Sequence, residues 1–151
     1  MEQVEIRVLF VRHPFKLWDV NSWLSTLIRL VIGFKYNHCA IKYHSRGFNF
    51  VVEARSGGIV TATWENWIKH RVGKEWIESG PIPIAEYLID IRLGNQYNVL
   101  SLFEQLWYRV FGVWIGDKSD AQENCSEFVA DLLNMPEAYK ATPKSVYYLT
   151  K

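Results

Sequence analysis

The chain has 151 residues, enough for one domain with a substantial core. Hydrophobic residues make up 49% and charged residues 22%, the balance of an ordered globular chain and not of a disordered one. A formal net charge of +1, with no dense basic stripe, argues against nucleic acid as a partner.

The N-terminus lacks the basic start of a secretory signal, and no apolar run reaches the ~18 residues of a membrane span. The expected location is therefore cytoplasmic, with lysis or inclusion in a particle as the routes out of a cell. Val4 to Arg12 is rich in β-branched and apolar residues and predicts a strand, ended at His13-Pro14. Asp19 to Ile32 predicts an amphipathic helix whose stripe holds Val20, Trp23, Leu24, Leu27, Ile28 and Val31, with Gly33 as its stop. That stripe packs on the domain's own sheet or, with Trp18, Trp23 and Arg29, touches a membrane surface.

Asn37 to His44 and Phe48 to Arg55 predict a hairpin around Ser45-Arg46-Gly47. Ser56-Gly57-Gly58 turns the chain into a third strand, Ile59 to Ala62, giving an antiparallel meander. Thr63 caps a short helix running to His70, and Lys74 to Pro83 reads as connection. Thr63 to Pro83 is also where a cover over a site would be sought. Tyr87 to Leu93 reads as a strand, broken by Gly94-Asn95. Tyr97 to Trp114 predicts a second strong helix, and Gly116 to Gln122 a polar loop. Asn124 to Leu133 is a helix with its N-cap at Asn124 and Glu127 three residues on, the spacing of a capping box. Pro136 closes it, and Pro143 opens a last helix from Lys144 to Leu149. The fold class is α+β, an antiparallel sheet or small barrel packed against helices, in a single domain over residues 1–151.

Cys125 falls in the first turn of its helix. Partial positive charge and free N–H groups there favour a thiolate, and the same groups can receive an oxyanion. Cys39 is the other cysteine, and the two lack both metal-type Cys-x-x-Cys spacing and the number needed for a disulfide framework. Of the four histidines, His13, His38, His44 and His70, His38 is the best candidate base, because it opens an otherwise apolar strand. Alternation sets His38, Ala40 and Lys42 on one face and Cys39, Ile41 and Tyr43 on the other. That assigns Cys39 to the core and Cys125 to the chemistry. Glu53 interrupts the apolar run of the next strand. A hairpin turning near Arg46 brings His38 opposite a residue near Glu53 or Ala54, within reach of a carboxylate–imidazole hydrogen bond.

The order Asn-His-Cys-Ala-Ile, then Val-Val-Glu-Ala with Gly-Gly-Ile-Val, then Asn-Cys-Ser-Glu-Phe-Val resembles the permuted papain-like cysteine hydrolases. This is the NlpC-related superfamily, in the branch with YiiX-like proteins and lecithin:retinol acyltransferase. Leu93-Gly94-Asn95-Gln96-Tyr97 and Thr142-Pro143 add to a resemblance that runs from about Val8 to Leu149. It implies a circularly permuted papain-like fold with Cys125 as nucleophile, His38 as general base and acid, and Glu53 as the orienting third member. Tyr36 and Asn37 are candidates for oxyanion or substrate binding. No metal or organic cofactor is implied.

The expected activity is hydrolysis of an amide or peptide bond, including a cell-wall peptide, through an acyl-enzyme on Cys125. Lipid or thioester acyl hydrolysis or transfer is the alternative chemistry, and a catalytically silent binding or inhibitory module the alternative class. The expected partners are a peptide, peptidoglycan or lipid acyl substrate, with membrane-surface contact through the Asp19–Ile32 helix.

Overall fold

The computed structural model describes residues 3–13, 20–55, 57–71, 74–97, 99–115 and 122–151. Pro14, Trp18, Asp19, Ser56 and nearly all of the Gly116–Gln122 loop, which carried parts of the sequence reading, lie outside the described residues.

The longest strand, β1 (Gln3–Arg12), is the axis of the sheet. A helix, α1 (Val20–Ile32), follows and ends at Gly33, whose φ of 63° is the left-handed stop the sequence predicts. β2 (His38–Ser45) and β3 (Phe48–Arg55) form a hairpin with Ser45 paired to Phe48. Its two-residue turn has positive φ at both Arg46 and Gly47, as a type I′ turn requires. β4 (Gly58–Thr63) completes the meander, and α2 (Trp64–Lys69) follows at once. The Thr63 hydroxyl accepts the Asn66 N–H at 3.4 Å, so the predicted cap is in place.

The next two segments correct the sequence reading. Lys74 to Pro83 is not mere connection: β5 (Glu75–Glu78) and β6 (Ile82–Ala85) share the outer edge of β1. β5 pairs with Leu9–Arg12 and β6 with Gln3–Ile6. Pro83 sits in β6, where an edge strand tolerates a missing N–H on its outer side. Among the described residues, the span from Thr63 to Pro83 is built from α2 and two strands of the sheet. Tyr87 to Leu93 is not a strand either; it holds the short helix α3 (Tyr87–Asp90) and turns. Ile89 is fully buried while Tyr87 and Ile91 are exposed, which breaks the alternation a strand would show.

The result is an α+β fold with a six-stranded antiparallel sheet in the order β4-β3-β2-β1-β5, with β6 beside β5 on β1. A parallel pair joins β7 (Gln96–Tyr97) to β8 (Gln122–Glu123). Between them lies α4 (Val99–Phe111), which packs against α1. The chain closes with α5 (Cys125–Leu132), a 3-10 turn at Ala138–Lys140 and α6 (Pro143–Thr150).

Pleating divides the core. Val8, Phe10, Cys39, Ile41 and Val52 face α5 and α6, where they meet Phe128, Val129 and Val146. Leu9, Val11, Ala40 and Val51 face the other way, onto Trp67 with Trp64 and Trp76 beside it. Trp64 and Trp67 stack at 5.4 Å, and Trp76 meets both edge-on. Truncating the fully buried Phe128 to Ala would cost about 3–5 kcal/mol through lost burial and the cavity left behind. Among the described residues, no helix is long and apolar enough to cross a membrane.

Candidate active site

Cys125 opens α5, and the cap beneath it is complete. Asn124 Oδ1 accepts the N–H groups of Ser126 and Glu127, each at 3.0 Å, while Glu127 Oε2 accepts the Asn124 N–H at 3.4 Å. Asn124, Ser126 and Glu127 are all buried, so this helix start is fixed from inside the fold. The Ser126 hydroxyl lies 2.9 Å from the Ala141 carbonyl, which also accepts Gln105 Nε2 at 2.7 Å. A side chain of α4 thus shares an acceptor with the residue that follows Cys125.

His38 is the first residue of β2, and Glu53 lies on β3. Ile41 faces Val52 in the hairpin, and continuing that register sets Glu53 across from Ala40. Glu53 is thus one pleat removed from His38 on the same face, close to the position that the turn predicts. The diagonal is short enough: His38 Nε2 and Glu53 Oε2 are 2.7 Å apart, with both residues buried. With Nε2 engaged by the carboxylate, Nδ1 is the ring nitrogen left for Cys125, whose sulfur lies near enough to act on the ring's charge. His38 and the sulfur come from opposite sides of the sheet and meet where β2 begins.

The electrostatics follow from this geometry. Burial would push the His38 ring down, but the charge and hydrogen bond of Cys125, then those of Glu53, hold it up at about 9. Burial would push the Cys125 thiol up; the His38 charge and hydrogen bond, with the backbone N–H groups of Cys39 and Ser126, bring it below the ordinary thiol value. Both shifts tilt the pair toward a thiolate beside an imidazolium. Burial also works against Glu53, yet His38 and Arg71 hold its carboxyl down at about 2.

Cys39 behaves in the opposite way. Burial and then the neighbouring Cys125 charge raise its thiol well above the ordinary value. Both cysteines lie in the same apolar cluster, so the face of the sheet is not what separates them. The helix start and the imidazole do.

Two further side chains stand beside Cys125, His38 and Glu53: Arg71, absent from the sequence reading, and His13. Arg71 Nη2 donates to Glu53 Oε2 at 2.5 Å, the same oxygen that holds His38. The guanidinium lies 5.0 Å from the Trp67 ring centre. Arg71 stands in the turn after α2, and nothing in its local sequence marks it, because its carboxylate partner is 18 residues away. His13, one of the four candidate bases, sets its ring 5.3 Å from that of His38. Burial, then the charges of His38, Lys74 and Arg71, lower it to about 3, so it is neutral.

The other candidates are placed as follows. The Asn37 side-chain oxygen accepts the His13 backbone N–H at 2.9 Å, and its buried Nδ2 has no protein partner. Tyr36 packs on the core beside Phe34 at 5.6 Å. His44 and His70 bond to Asn49 and to the Asn66 carbonyl, both exposed and apart from the site. Among the described residues, no group of three or more His, Cys, Asp or Glu side chains could hold one metal ion. Comparison with protein-family models and with curated proteins found no match for this chain.

Proposed function

We propose that this chain is a cysteine-dependent hydrolase of the permuted papain-like kind, cleaving an amide or peptide bond through an acyl-enzyme on Cys125. The observation that carries this reading is the buried chain from sulfur to imidazole to carboxylate, with its 2.7 Å His38–Glu53 bond and its sulfur at a capped helix start. Such a pair supplies a nucleophile and an acid together.

The thiolate adds to the carbonyl carbon, and the oxygen takes the charge. The Cys125 N–H and the unpartnered Asn37 Nδ2 are the donors we assign to that oxyanion. His38 then gives its proton to the leaving nitrogen as the C–N bond breaks, which leaves a thioester. Water adds to the thioester as His38 takes its proton, and the C–S bond breaks to return Cys125. Glu53 keeps the ring oriented and its charge balanced throughout.

A second source of the acyl group, a lipid ester, is favoured by the exposed apolar side chains of α1 and α4, since Gln105 of α4 bonds to the carbonyl that Ser126 also reaches. Purified peptidoglycan and phospholipid vesicles, each incubated with the protein, separate the two by their products. Cys125→Ala should abolish release, while Cys39→Ala keeps the backbone N–H beside the sulfur and stays active. Equal activity in both variants would end the assignment, and an inert Cys125 in the wild type would return the chain to the class of binding modules.

A further inference from the structure

α1 and α4 pack against each other, and both leave large apolar side chains bare. On α1 these include Trp23, Leu27 and Leu30, the last 75% exposed; on α4 they include Phe103, Val110 and Phe111, each at least 50% exposed. Surfaces meant only for water rarely carry so continuous an apolar patch. The sheet does not use these side chains, since its two faces are filled by α5 and α6 on one side and by α2 with its tryptophans on the other.

The charges on the two helices are one-sided. α1 contains no Asp or Glu, and the single carboxylate of α4, Glu104, is buried. The ionised side chains left near the surface are Arg29 and Arg109. At the end of α1, Lys144 Nζ bonds to the Ile32 carbonyl at 3.3 Å and adds a further cation. We propose that α1 and α4 form a docking surface for an anionic phospholipid bilayer. Aromatic and aliphatic side chains enter the acyl boundary, and the arginines meet the headgroups. A second copy of the chain fits less well. A two-fold interface brings the same patch from both copies together, so it would crowd arginines where neither helix offers an exposed carboxylate to receive them.

This surface does not depend on the hydrolase reading, and its test is separate. The full chain is floated with vesicles of phosphatidylcholine alone and of phosphatidylcholine mixed with phosphatidylglycerol. The wild type and Cys125→Ala should both rise with the mixed vesicles. Leu30→Glu and Phe103→Glu should each lower the bound fraction about tenfold or more, since each removes a buried apolar side chain from the contact. Arg29→Gln and Arg109→Gln should lower it about fivefold each on the anionic vesicles, and far less on the neutral ones. The arginine variants keep the test decisive if a glutamate variant does not fold. Wild type that floats with neither vesicle, variants that all float like wild type, or a dimer in sedimentation that Leu30→Glu splits would each overturn the proposal.

Discussion

At the residue scale the site turns on one carboxylate oxygen. Glu53 Oε2 takes His38 at 2.7 Å and Arg71 at 2.5 Å, so the guanidinium acts on the sulfur only through the ring. Removing it should let the Glu53 carboxyl rise from about 2 toward its usual range and free the carboxylate to turn away from His38, which leaves the Cys125 thiolate less favoured. Arg71→Gln is therefore expected to move the pH dependence of Cys125 alkylation by iodoacetamide upward, with Arg71→Lys between it and wild type. It should also cost about 2 kcal/mol of stability, the scale of a lost charged hydrogen bond. An unchanged alkylation profile in a destabilised variant would reduce Arg71 to a packing residue. A second residue-scale prediction separates alkylation from hydrolysis. Alkylation needs only the thiolate, whereas release of a leaving nitrogen also needs the proton on His38. As pH rises through about 9, where the ring loses that proton, hydrolysis should fall while alkylation holds. His38→Ala should return alkylation toward the dependence of an ordinary thiol. Cys125, His38 and Glu53 were legible as single residues because each breaks a pattern: a capping box, an apolar strand start, a carboxylate in an apolar run. Arg71 breaks no pattern, so only the folded chain reveals it.

At the element scale, sequence and structure agree where local rules decide. Gly33, the Arg46-Gly47 turn, the Thr63 cap and the Asn124–Glu127 box each carry a short-range signal, and each element they bound is present. Agreement fails where a distant partner decides. Glu75–Glu78 is short and charged at both ends, and Ile82–Ala85 contains a proline; both become strands because the edge of β1 away from β2 is open to them. Tyr87–Asp90 is a short apolar run, which periodicity cannot sort into helix or strand. The Gly94-Asn95 break proved to have a pairing role as well. The Ile59 N–H donates to the Asn95 carbonyl at 2.9 Å and the Gly94 N–H to the Ile59 carbonyl at 3.0 Å, so this turn closes the free edge of β4. Gly58 makes the approach feasible. Its φ is +101°, and an added Cβ would stand 2.6 Å from the Asn95 carbonyl oxygen. Gly58→Ala should lose about 2 kcal/mol in urea unfolding, from strain in the backbone and displacement of that carbonyl. Gly57→Ala, with nothing within 4 Å of its Cβ, is the control and should stay near wild type. Equal stability in the two variants would mean that the turn does not hold the edge.

For the whole molecule, the site makes stability depend on pH in a direction that can be worked out. Glu53 has a folded value of about 2 against an ordinary 4.5, so its contribution is complete above 4.5 and disappears as pH falls toward 2. His13 has a folded value of about 3 against 6.5; it is packed neutral, and the unfolded chain gains the proton first. Its contribution is complete above 6.5 and is lost as pH falls from there. His38, raised to about 9, stabilises fully below 6.5 and loses this as pH rises to 9. Cys125 is lowered, so its contribution grows as pH climbs toward the ordinary thiol value and opposes the loss from His38. Folding in effect moves a proton toward the ring, and the two slopes oppose each other on the alkaline side. The expected curve of melting temperature falls below 6.5 through His13 and steepens below 4.5 when Glu53 joins. His13→Phe, which keeps a flat ring against His38, should flatten the segment between 6.5 and 4.5 and leave the steeper fall below it. Cys125→Ala removes the first of the two groups that hold the His38 ring up, so the ring should lose its proton well below about 9. Calorimetry of wild type and His13→Phe checks the acid side, and NMR titration of the His38 ring in wild type and Cys125→Ala checks the alkaline one. A ring that keeps its proton to about 9 without the sulfur would mean that sulfur and ring do not share a proton, and the chemistry assigned to them would lose its electrostatic basis.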